Sequence, residues 1–205
     1  MQLAKGANVT LPAVDGLTVA CSWVPRPGVE ADLSALLLAG GRVRDDSDFV
    51  FYNQPSSGDQ RVVHEGKRVN RDGSTTDRVT VDLVGFDPGV EAVAFAVSLD
   101  APHGRSFADL QPLQVQVSER GGARLLAGYR VDGLGPETAV VTVELYRRGA
   151  VWKVRAVGQG HHDGLAGLAR DFGVDIGDSE PEPVPADPPP SVEWRNPPVP
   201  AGYEL

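Results

Sequence analysis

Glu144 to Phe172 reads ELYRRGAVWKVRAVGQGHHDGLAGLARDF, and its hydrophobic period changes once along the way. From Ala139 to Tyr146 and from Val151 to Val157, apolar side chains recur at every second residue: Val141, Val143 and Leu145, then Trp152, Val154 and Ala156. That period turns one face of an extended chain toward a core. Arg147-Arg148-Gly149-Ala150 between them suits a tight reversal, because glycine accepts positive φ, so the two runs predict a β-hairpin. Past Val157, Gly158-Gln159-Gly160 predicts the end of the extended run, and Asp163 stands where a carboxylate accepts the free amides that open a helix. Leu165, Leu168, Ala169 and Phe172 then follow at helical spacing, with Gly173 as the stop.

Alternation recurs through the rest of the chain. Leu17 to Trp23, Val79-Val81-Leu83, Val93-Phe95-Val97-Leu99, Leu113-Val115-Val117 and Leu126 to Tyr129 all read as strands, Arg61 to His64 as a short one, and Asp32 to Leu38 as a buried run. Turn signals such as Asp87-Pro88-Gly89, Gly121-Gly122 and Gly133 to Pro136 separate them at sandwich spacing. Gly66 to Asp77 (GKRVNRDGSTTD) reads as a long polar loop. The expected fold is all-β: a two-sheet antiparallel β-sandwich over residues 1–174 with one short C-terminal α-helix.

The chain of 205 residues carries a formal net charge of −9. Residues 175–205 hold nine of its 17 prolines and seven acids against one arginine, a net −6 that leaves −3 for the rest. Such a segment buries too little apolar surface to offset its ordering entropy, which predicts an acidic, proline-rich disordered tail. Within it, Trp194-Arg195 is the candidate motif for a partner. The acidic balance argues against nucleic acid as a partner. No apolar run is long enough to cross a membrane as a helix, and Met1-Gln2-Leu3-Ala4-Lys5 has no signal-peptide pattern. The single cysteine, Cys21, falls on the apolar side of Leu17 to Trp23 and is expected to be a buried small hydrophobe. These features predict a cytoplasmic protein.

Several motifs together resemble the TerD-domain family of tellurium-resistance and stress-response proteins. They are Glu144-Leu145-Tyr146-Arg147, Trp152-Lys153-Val154-Arg155-Ala156-Val157-Gly158-Gln159-Gly160, Gly164-Leu165, the opening Leu3-Ala4-Lys5-Gly6-Ala7-Asn8-Val9-Thr10-Leu11, and Ser47-Asp48-Phe49-Val50-Phe51-Tyr52-Asn53. The resemblance covers the body to about residue 174. It implies a calcium-binding β-sandwich whose ligands come from a D-L-D segment, a G-D-N turn and a G-D-D-E cluster. Here Asp32-Leu33-Ser34, Gly66-Lys67-Arg68 and Ser74-Thr75-Thr76-Asp77 stand in those places. Three carboxylates are missing and two cations have been added. Since ligand charge sets calcium affinity, the candidates Asp32, Asp45, Asp46, Asp48, Asp72 and Asp77 are expected to form a degenerate site, with Lys67 or Arg68 paired to Asp32 or Asp46 in place of the ion.

No residue pattern supports catalysis. His161-His162 diverge at a glycine-rich break and are expected to be exposed, while His64 and His103 stand alone in the sequence. Ser106, Asp109 and His103 lack a nucleophile elbow, and there is no phosphate-binding loop. Arg147, Arg148, Lys153 and Arg155 form a basic hairpin, a candidate docking face for an acidic segment. The expectation is therefore a non-enzymatic stress-response binding protein, related by resemblance to tellurite resistance, whose partners are other proteins of a stress complex. The alternatives are a scaffold using the hairpin and the tail, and a calcium-binding protein with its site retained.

Overall fold

Strands form where the two-residue apolar period holds. The computed structural model describes residues 1–100, 104–110, 112–122 and 124–174. In chain order the strands are β1 (Gln2–Leu3), β2 (Asn8–Thr10), β3 (Gly16–Trp23), β4 (Glu30–Ala39), β5 (Arg42–Val43), β6 (Phe49–Val50) and β7 (Val62–Val69). Then come β8 (Thr75–Asp82), β9 (Ala92–Asp100), β10 (Leu113–Glu119), β11 (Leu125–Val131), β12 (Ala139–Arg148) and β13 (Val151–His161), followed by α1 (Gly164–Asp171). A six-stranded sheet runs β1-β11-β10-β3-β8-β7, and a seven-stranded sheet runs β2-β13-β12-β9-β4-β5 with β6 also on β4. Every pairing is antiparallel except the short β1–β11 contact, which is parallel.

The inward-facing alternates close the core between the sheets. Leu17, Val19 and Cys21 of β3 and Val79 and Val81 of β8 join one cluster with Leu33, Ala35 and Leu37 of β4, Phe95 of β9 and Leu145 of β12. A second cluster lies on the outer face of the seven-stranded sheet. There Leu168 and Ala169 of α1 cover Leu36, Leu38, Ala94, Ala96, Ala139 and Val141. The seven-stranded sheet is thus apolar on both faces in this region, which is why Ala35 to Leu38 reads as a continuous buried run.

The opening segment forms two strands: β1 pairs with β11 of one sheet and β2 with β13 of the other, across a turn closed by Ala7 N–H to the Ala4 carbonyl at 2.9 Å. Three local expectations need correction. Gly158-Gln159-Gly160 does not end its strand. β13 continues to His161, and Val157-Gly158 absorb a bulge against β12 where the register shifts between Val141 and Val143, while Gly160 pairs regularly with Val140. Gly158 has φ +63°, and a Cβ there would overlap the Tyr129 hydroxyl. Asp163 holds the N-cap position, but its side chain accepts no amide, because its backbone (φ −88°, ψ 21°) is not extended. Gly66 to Asp77 is mostly sheet: β7 runs on to Val69, β8 begins at Thr75, and only 70–74 turn. An edge strand with one neighbour keeps polar side chains that disguise it.

Candidate functional site

The six acidic candidates are distributed over separate places. Asp45 caps a single 3-10 turn (Asp46–Asp48), accepting the Ser47 N–H at 2.8 Å and its hydroxyl at 2.5 Å, and those two bonds hold its carboxyl below the ordinary range. Asp46 is exposed, and its backbone carbonyl, not its carboxylate, accepts from Gln54 Nε2 at 2.5 Å. Asp48 is buried against Arg44, whose Nε and Nη2 donate at 2.5 and 3.0 Å while Nη1 holds Asp87. Asp72 accepts the Ser74 N–H at 3.0 Å and hydroxyl at 2.7 Å, an Asx turn closing the β7–β8 hairpin. The acid-rich 45–48 loop is therefore held by its own capping bonds and by Arg44.

Asp32 and Asp77 do meet the β7–β8 hairpin, at one end of the sandwich. Between Glu30 and Ser34, β4 has a strand neighbour on one side only among the described residues. On the free side the Leu33 N–H donates to Asp77 Oδ2 at 2.9 Å, so a carboxylate from the opposite sheet stands in for a strand partner. Asp77 is fully buried and also accepts the Arg78 N–H at 2.8 Å. His64, itself buried, places Nε2 at 2.9 Å from Asp77 Oδ1 and 3.1 Å from Oδ2. Cys21 lies opposite Asp77 in the β3–β8 register. Burial and the Asp77 charge push its thiol far above the ordinary range, so it is an inert core residue.

Above this buried pair is a cavity of about 410 Å³ lined by Glu30, Asp32, Tyr52, His64, Gly66, Lys67 and Asp100. Lys67 Nζ lies 2.8 Å from Asp32 Oδ1 and 3.4 Å from Glu30 Oε2. Burial alone would lower the lysine pKa. The Asp32 hydrogen bond and the charges of Asp32 and Glu30 more than offset this, and the ammonium titrates above its usual range. The donor set fits calcium poorly: the cation beside Asp32 is an ammonium, Ser34 Oγ donates to the Ala96 carbonyl at 3.4 Å, and Asp77 is already engaged by three donors. Among the described residues, no three His, Cys, Asp or Glu side chains are grouped to hold a metal.

Sequence reasoning missed Glu30, Asp100 and His64 here. Glu30 and Asp100 become neighbours only through the β4–β9 register, and His64 faces inward because it shares the alternation of Val62. His161 corrects another expectation. Its side chain is enclosed, with Nδ1 3.0 Å from Asp171 Oδ2 and Nε2 buried without a partner among the described residues. His162 is exposed.

The basic hairpin divides between two faces. Arg147 lies with its guanidinium 4.8 Å from the Trp152 ring centroid and donates to the Phe86 carbonyl at 2.8 Å. Arg155 pairs with Glu144 at 2.9 Å and lies 5.6 Å from the Tyr146 ring. Arg148 is exposed and Lys153 half-buried. Ser106 and Asp109 form a capping box around a 3-10 turn. His103, Trp194 and the tail expected from residue 175 lie outside the described residues.

The TerD domain matches residues 1–172. The chain belongs to the TerD domain family. It is 33% identical to the tellurium resistance protein TerD of Serratia marcescens over 187 residues, covering 85% of this chain and 97% of that one. It is 31% identical to general stress protein 16U of Bacillus subtilis (strain 168), covering 86% and 99%. A crystal structure of a protein of unknown function superposes with a TM-score of 0.61 at 21% identity, covering 78% of this chain and 98% of that one. That likeness supports the TerD sandwich as a fold. No helix among the described residues is long and apolar enough to cross a membrane.

Proposed function

We propose that this TerD-family chain is a non-enzymatic stress-response binding module in which the Lys67 ammonium takes the place of a calcium ion at the sandwich rim. The observation that carries the reading is the contact of Lys67 Nζ with Asp32 at 2.8 Å and Glu30 at 3.4 Å. An ammonium supplies one charge and fixed donors where calcium needs about six to eight converging oxygens. The names of the relatives support the stress role: a tellurium resistance protein and a general stress protein. A non-enzymatic role is supported by the use of Ser106 and Asp109 in a cap and of the His64–Asp77 pair as a buried brace. The buried, unpaired Cys21 supports a reducing, cytoplasmic setting, and other proteins of a stress complex are the partners this reading expects.

Calorimetric titration of chelator-stripped protein with calcium tests the proposal. The unchanged chain should give no micromolar binding, and Lys67→Asp combined with Arg68→Asn should acquire calcium-dependent heat and a calcium-dependent rise in melting temperature. Micromolar binding by the unchanged chain overturns the reading.

A further inference from the structure

Among the described residues no element covers the outer face of the six-stranded sheet, since α1 packs on the other sheet. What this face presents follows from the register. Thr18 lies between Ser118 and Thr80, Ala20 between Gln116 and Arg78, and Ser22 between Gln114 and Thr76. The edge strand adds Gly66 beside Arg78 and Arg68 beside Thr76. Because Val19 and Cys21 alternate with these residues and fill the core, the two-residue period leaves short hydroxyls and arginines outside. The face forms an open hollow of about 930 Å³.

Arg78 occupies the middle row, flanked by the smallest side chains, Ala20 and Gly66, so the space around its head group is unfilled. It is half-buried, and its guanidinium makes no ion pair or side-chain hydrogen bond among the described residues. The other arginines of the hollow behave differently. Arg61 and Arg120 share Asp82 at 3.8 and 3.5 Å, and Arg120 also lies over Gly16, where a Cβ would collide with its Nε. Among the described residues of the hollow, Arg61, Arg68, Arg78 and Arg120 face Glu65 and Asp82, four positive charges against two negative, on a chain of net −9.

A half-buried guanidinium without a counter-ion is costly, and its planar fork matches a carboxylate or phosphate bidentately. Two hydroxyls of the hollow are weakly committed, Thr80 Oγ1 and Ser118 Oγ reaching strand carbonyls only at 3.5 Å, whereas Ser22 and Thr76 are bonded to each other at 2.7 Å. From strand spacings, Arg68 lies roughly 8 Å diagonally from Arg78, which suits a second anionic group on the same molecule. Among the described residues no aromatic ring lines the hollow, so they offer no stacking platform for nucleobases. We infer that this face binds a small, oxygen-rich organic anion, seating one carboxylate or phosphate on Arg78 and its other oxygens on neighbouring hydroxyls such as Thr80 and Ser118. This site is independent of the Lys67 rim.

The test is titration of the full chain, followed by calorimetry and by NMR of Thr18 and Thr80, with citrate for the carboxylate arm and fructose 1,6-bisphosphate for the phosphate arm. Sodium chloride at matched ionic strength and a 20-mer single-stranded DNA serve as comparisons. One of the two metabolite probes should bind with Kd below about 1 mM and shift Thr18 and Thr80. Arg78→Gln should weaken it by about tenfold or more, whereas Arg130→Gln, outside the hollow, should not. Ala20→Glu places a carboxylate directly across from Arg78; it should also abolish binding while raising the melting temperature, which separates loss of the site from loss of the fold. Failure of both probes, unchanged affinity in Arg78→Gln, or tighter binding of the DNA overturns the inference.

Discussion

Asp77 shows how a side chain that looks like a ligand in the sequence can serve as a fold determinant. As the terminal acid of a ligand-like cluster it reads as a metal ligand. In the fold it is a fully buried carboxylate that accepts from Leu33 N–H, Arg78 N–H and His64 Nε2, tying the free edge of β4 to β8. Removing one partner of a buried pair leaves the other uncompensated, which costs about 3–5 kcal/mol. His64→Leu should therefore destabilise the protein by about 3 kcal/mol in urea denaturation. Asp77→Leu with His64→Leu should cost less than the sum of the single changes, and an additive double-mutant cycle would remove the brace from the account. The roles at the rim were only half legible in the sequence. The swap of acids for Lys67 and Arg68 was visible in one dimension. The choice of Asp32 and Glu30 as the lysine's partners depends on a β4–β7 approach that no local pattern encodes.

At the scale of elements, strands were legible wherever one face met the core, because burial enforces the alternation. Leu17 to Trp23 and Val93 to Leu99 are examples. Legibility failed at β7 beyond His64, an edge strand with a bulge between His64 and Gly66 and largely polar side chains. It also failed at Gly158, where the glycine supports a bulge rather than a stop. The helix was read correctly from its spacing and its end. Gly173 (φ +79°) donates to the Arg170 carbonyl at 3.0 Å and Val174 N–H to the Ala169 carbonyl at 2.8 Å, a Schellman closure. Its anchoring is apolar rather than capped: Leu168 is fully buried, while Asp163 caps nothing. Leu168→Ala should cost about 3 kcal/mol by chemical denaturation, and Asp163→Ala well under about 1 kcal/mol, the reverse of what a capping role for Asp163 requires.

For the whole molecule, the charges define a pH window of stability. Asp45, Asp72, Asp82, Asp87 and Glu137 titrate below their ordinary values: Asp45 and Asp72 through their serine bonds, Asp82 through the Val84 N–H and then Arg120 and Arg61, Asp87 through Arg44, and Glu137 through the Gly135 N–H. Their contribution is complete above the unfolded values of 3.8 for Asp and 4.5 for Glu, and is lost as pH falls through the lower folded values. The melting temperature should therefore hold steady near neutrality and drop below about pH 4. The alkaline limit has the opposite sign. Cys21 ionises near 9.0 when unfolded but is kept protonated in the fold by burial and by Asp77. Above that pH the unfolded chain binds fewer protons than the native one, and stability falls by about 1.4 kcal/mol per pH unit from this group alone. Cys21→Ala should lower stability at neutral pH by opening a small cavity, yet flatten the decline between about pH 9 and 11 by that slope. Guanidinium denaturation of both proteins across the range reads the difference. Equal slopes would mean that the Cys21 thiol ionises in the fold as readily as in the unfolded chain, and that the sandwich interior at the Cys21–Asp77 pair is wet.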